Sequence, residues 1–81
     1  MAPVTLLDRY FWNEHTELIQ AIEPGLEEKF PDVWRWFEIR DHQVAARFVK
    51  SGAAVFELDG FFWLGCPRNR DITEYVNCLE S

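Results

Sequence analysis

The chain has 81 residues, 48% of them hydrophobic and 16% aromatic, and its 14 acidic and 8 basic side chains give a formal charge of -6. That length leaves room for one domain and one core, and the apolar content argues against disorder. The charge works against nonspecific binding to nucleic acid or an anionic membrane, and no stretch approaches the roughly 20 apolar residues needed to span a bilayer.

The first elements are helical. Thr5 is suited to cap a helix, and Asp8 complements the exposed amides of its first turn. Apolar residues then recur at Leu7, Tyr10, Phe11, Leu18, Ile19 and Ile22, with Glu14, Glu17 and Gln20 off the stripe. Pro24-Gly25 ends this helix, and Leu26 to Phe30 adds one short turn before Pro31. The helical region thus covers residues 5–30. It is also the acidic part of the chain: residues 1–32 hold seven acids against Arg9 and Lys29, whereas residues 33–81 hold seven acids against six bases.

Residues 33–65 read as a sheet. Asp41-His42 fits a two-residue hairpin loop that pairs Ile39 with Val44 and Phe37 with Ala46. Asp59-Gly60 is the strongest hairpin signal, pairing Leu58 with Phe61 and Phe56 with Trp63. Lys50-Ser51-Gly52 is read as a three-residue loop with Gly52 left-handed, because a shorter loop would turn Arg47 and Val49 into the core. One face then collects Phe37, Ile39, Val44, Ala46, Phe48, Ala54, Phe56, Leu58, Phe61 and Trp63. The other holds Trp34, Trp36, Glu38, Ala45, Arg47, Val49, Val55, Glu57, Phe62 and Leu64, with Trp36 opposite Arg47. After Arg68-Asn69-Arg70, Asp71 caps a last helix over residues 71–80, with Glu74 reaching back and Ile72, Tyr75, Val76 and Leu79 as its docking stripe. The expected fold is α+β: a four-stranded antiparallel β-meander packed with N-terminal and C-terminal helices on one side.

The residues with the clearest functional content lie on the second sheet face. A sheet covered on one side normally turns a polar face outward, so Trp34, Trp36 and Phe62 beside Arg47 point to a contact surface for a partner. The competing reading buries that face under the last helix. On the interface reading, Trp36→Ala weakens partner binding and changes stability by less than about 1 kcal/mol. Glu14 and Glu17 form an acidic ridge, either a solvated helix face or a charge surface aimed at a basic partner. Arg68 and Arg70 stand before a helix N-terminus that would attract an anion, although pairing with local acids is the simpler expectation.

Nothing in the pattern carries catalysis. His15, His42, Cys66 and Cys78 lack the close pairing of a zinc site, two cysteines are no disulfide framework, and Cys66 with His15 is a nucleophile pair only in name. A core that barely fills itself leaves little room for a substrate pocket. The expectation is a non-enzymatic protein with no cofactor and no bound metal. Without a basic segment followed by an apolar run at the N-terminus, it is expected in the cytoplasm with reduced thiols.

In size, acidity, α+β make-up and lack of motifs, the chain resembles the small phage-borne inhibitors of bacterial defence, including anti-CRISPR proteins. The likeness is one of general type over the whole chain and carries no residue correspondence. It implies a basic, nucleic-acid-handling effector as partner, in a host cell cytoplasm, blocked sterically or by charge mimicry. Two other functions fit the same features: an immunity protein or antitoxin neutralising one toxin, and a homo-oligomeric accessory subunit, such as a homodimer, with the tryptophan face as its seam.

Overall fold

The computed structural model describes residues 14–80. Its elements in chain order are α1 (Thr16–Ile22), α2 (Leu26–Lys29), β1 (Val33–Ile39), α3 (His42–Lys50), β2 (Ala54–Leu58), β3 (Phe61–Pro67) and α4 (Ile72–Glu80). The three strands form one antiparallel sheet in the order β1-β3-β2. The protein is α+β as expected, but the four-stranded meander is not what forms.

The difference lies in residues 42–50, expected as a strand and found as helix α3. Its start is set by Asp41, whose side chain accepts hydrogen bonds from the amides of Gln43 (2.8 Å) and Val44 (3.3 Å). Its end is set by Gly52 at φ 84°. There the Gly52 amide donates to the Val49 carbonyl and the Ala53 amide to the Phe48 carbonyl, a Schellman closure. Val44, Ala45 and Phe48 are buried on one side of this helix, while Ala46, Arg47, Val49 and Lys50 are exposed. The expected strand partners therefore do not meet. Ile39 pairs with Phe62 and Phe37 with Leu64, across β3 rather than across a hairpin at Asp41-His42. Because β1 and β2 are both antiparallel to β3, they run parallel to each other, and parallel strands need a crossover such as α3.

The second hairpin forms in the register its turn demands. Asp59 (φ 52°) and Gly60 (φ 85°) are both left-handed, and Leu58 pairs with Phe61 and Phe56 with Trp63. Asp71 caps α4 by accepting from the amides of Thr73 (2.9 Å) and Glu74 (3.2 Å). Glu74 does not reach back as expected but bonds Arg70 at 3.3 Å. The expected long first helix is shorter among the described residues. Glu14 forms an antiparallel bridge with Phe37, and the His15 amide donates to the Trp36 carbonyl (3.0 Å), so this stretch is tied to the edge of β1 before α1 begins. The cap expected at Thr5 and the stripe residues Leu7, Tyr10 and Phe11 lie outside the described residues. α1 ends before Pro24-Gly25 and α2 before Pro31, where those breakers place the ends.

Helices cover both faces of the sheet, not one. On one face α3 and α4 bury Val44, Ala45, Phe48, Ile72 and Val76 against Phe37, Ile39, Leu64 and Cys66. On the other, α1 and α2 supply Ile19 and Leu26 against Trp36 and Trp63, with Phe30, Phe56 and Leu58 around them. Trp36 sits opposite Gly65 in the sheet. A Cβ built at Gly65 would stand 2.6 Å from a Val33 methyl and 2.9 Å from Cζ3 of Trp36, so a glycine is what lets these side chains approach its strand so closely.

Candidate binding groove between the first helix and the hairpin

The six residues expected to bind a partner are dispersed by this fold. Trp36 is 2% exposed, stacked edge-on with Phe56 (5.0 Å between ring centroids) and Phe30 (5.6 Å) under α1 and α2. Its neighbour across the strands is Gly65, not Arg47. Arg47 belongs to α3, where its Nη2 lies 3.4 Å from Glu80 Oε1. Phe62 is half-buried on the α3 side of the sheet, edge-on to the His42 ring at 5.0 Å. The outward tryptophan face is therefore absent, because α1 and α2 occupy it. Trp34, Glu14 and Glu17 stay at the surface. The Arg35 guanidinium lies 4.4 Å from the Trp34 ring centroid and its Nε 3.7 Å from Glu14 Oε1. Glu14 and Glu17 line one shallow depression with His15, Thr16 and Leu18.

An exposed apolar feature arises elsewhere. Leu18 (52% exposed) and Ile22 (48%) on α1 face Phe61 (56%) at the start of β3. Between them lies a groove of about 270 Å³ lined by His15, Leu18, Ile19, Ile22, Glu38, Leu58, Asp59, Phe61 and Trp63. Two consecutive turns of α1 place Leu18 and Ile22 four residues apart on one side, while Ile19 alone points into the core. Sequence reasoning assigned all three to the core stripe, and it assigned Phe61 to the core face. The sequence held no signal for this: the helix expected from residue 5 is seven residues long from Thr16, and it buries Ile19 alone.

The floor of the groove is Trp63, edge-on to His15 at 5.6 Å. Among the described residues, its Nε1 is the buried side-chain nitrogen or oxygen without a hydrogen-bond partner. An unpaired buried donor costs roughly 1–3 kcal/mol, which marks this spot as less settled than the rest of the core. The rim is acidic. Glu38 and Asp59 line the groove and, among the described residues, no lysine or arginine does. Glu38 is held by His15 Nε2 (3.7 Å) and Arg40 Nε (3.3 Å).

The thiols and histidines do not assemble into a reactive site. Cys66 is buried on the α3–α4 side of the sheet, its Sγ 3.3 Å from the Arg70 carbonyl, and burial pushes its thiol up, away from the thiolate form a nucleophile needs. His15 lies on the opposite face against Trp63, so the two never meet. Among the described residues, no three His, Cys, Asp or Glu side chains are placed to hold a metal ion, and no helix is long and apolar enough to cross a membrane. Arg70, expected before a helix N-terminus, bonds Glu74 and Cys78 and stands over the Tyr75 ring at 5.3 Å.

Comparison with protein-family models, curated proteins and solved structures finds no match to this chain.

Proposed function

We propose that this is a small non-enzymatic binding protein that acts by occupying a surface on a larger, basic, nucleic-acid-handling protein and inhibiting it. The observation that carries this reading is the apolar groove of Leu18, Ile22 and Phe61 with an acidic rim on a chain of net charge -6. Apolar anchors ringed by charge are the usual make-up of an interface, and net acidity speeds encounter with a basic surface. The phage anti-defence type belongs within this reading, as does an immunity protein acting on a basic nuclease.

The test is affinity capture of the tagged protein from bacterial lysate, followed by assay of whatever is retained. The expected result is one stoichiometric basic effector whose action on nucleic acid falls as the protein is added. Recovery of the protein alone, as an oligomer, would replace the inhibitor with a self-associating subunit.

A further inference from the structure

We infer that the groove between α1 and the β2–β3 hairpin receives an amphipathic helix of the partner, its aliphatic side chains seated against Leu18, Ile22 and Phe61 and its lysines or arginines beside Glu38 and Asp59. This inference rests on the binding reading above and gives it a location and a ligand chemistry.

Size comes first. The groove's roughly 270 Å³ is nearly twice the volume of about 150 Å³ that accommodates a benzene molecule in an engineered core cavity, so it takes more than one side chain. Shape comes second. Its walls are side chains of a helix and a hairpin standing over a sheet face, which suits a helix seated among side chains better than a strand added to the outer edge of β2. A helix presenting residues four apart matches Leu18 and Ile22, themselves four apart on α1.

Charge decides the polar half of the partner. Two carboxylates line the groove, Glu14 and Glu17 line the depression next to it, and His15 and Leu18 are common to both. Arg40 lies on Glu38 at 3.3 Å and Arg35 on Glu14 at 3.7 Å, which leaves Asp59, in no ion pair among the described residues, as the groove carboxylate open to a partner's base. A partner helix with acidic flanks would meet like charge at a partly desolvated rim, which favours basic flanks.

The test uses the full chain and a synthetic 16-residue helical peptide with leucines at i, i+4, i+7 and i+11 and lysines on the flanks. Its controls replace the lysines by glutamates or the leucines by serines. In amide-resolved NMR titration the lysine peptide is expected to bind saturably, with shifts confined to α1, Glu38, the Asp59-Gly60 turn and Trp63. Phe61→Ser is expected to weaken it at least tenfold. Asp59→Asn, which keeps a residue suited to a left-handed turn position, should weaken it several-fold and flatten its salt dependence. Leu18→Ser repeats the apolar test on the helix wall, should Phe61→Ser disturb the hairpin.

Shifts spread over the α3–α4 face, or equal binding of the glutamate peptide, would overturn the inference. So would a dimer in sedimentation that Phe61→Ser dissociates, or nuclear Overhauser contacts from residues 1–13 to Phe61, since either assigns the groove another occupant. An effector captured equally by wild type and Phe61→Ser would also overturn the groove while leaving the inhibitor reading standing. Saturable, groove-mapped peptide binding with no effector captured would do the reverse.

Discussion

The two faces of one sheet meet different fates. On the first, two nine-residue helices, α3 and α4, cover the strands with Val44, Phe48, Ile72 and Val76 fully or nearly buried. On the second, α1 has seven residues and α2 has four, and only Ile19 and Leu26 of their side chains are buried. The strands beneath carry apolar residues on both sides. What differs among the described residues is the length of helix covering them, and on the second face Leu18, Ile22 and Phe61 remain in solvent. A small domain can thus complete a core on one side and leave an apolar surface on the other without any change in the character of its strands.

Substitutions measured by chemical denaturation test this contrast. The largest losses are expected at the aromatic centre of each face: Phe48→Ala and Trp36→Ala should each cost about 3–5 kcal/mol, because both leave a cavity in packed surroundings. For Trp36 this replaces the sub-kilocalorie change expected of an exposed interface residue, and a small loss there would show that the second face is not packed as described. Gly65→Ala should cost about 1–3 kcal/mol by forcing Trp36 and Val33 off the neighbouring strand. Asp41→Ala should cost about 1 kcal/mol through loss of the α3 cap, and no loss would return residues 42–50 to an open question of helix or strand. Smallest of all, Leu18→Ser on the groove wall should change stability by no more than about 0.5 kcal/mol. A larger loss would mean the wall is core.

One chemical contrast separates the faces as well. Burial raises the Cys66 thiol and the Tyr75 hydroxyl on the α3–α4 side. Each group folds more readily in its neutral form, so its contribution is complete below its unfolded pKa and fades as pH climbs through the folded value. Stability is therefore expected to fall above about pH 8.5, the ordinary thiol range, and Cys66→Ala should remove the first part of that decline. An unchanged alkaline profile in Cys66→Ala would assign the decline to other groups.

Much of this was legible in the residues. Pro24-Gly25 and Pro31 ended the first helices, Asp59-Gly60 set the hairpin register, and Asp71 capped the last helix. Each of these signals acts within a few residues through backbone conformation that no distant contact changes. The stretch His42–Lys50 was a different case. Val44, Ala46 and Phe48 alternate as a strand would, while Val44, Ala45 and Phe48 repeat as a helix would, so the two periods coincide over so short a run. Asp41 and Gly52 suit turns, and both also serve as helix caps.

That single ambiguity propagated through the candidate site. Turning residues 42–50 into a helix removes a strand, brings β3 between β1 and β2, and exchanges the partner of Trp36 from Arg47 to Gly65. Local chemistry in the sequence determined where elements stop, how the hairpin pairs and how the acidity is distributed. Which face of the sheet each helix covers, and hence whether an apolar side chain becomes core or surface, was decided only when the elements packed. Burial is a property of what lies opposite a side chain, and a residue's own identity does not contain its neighbour.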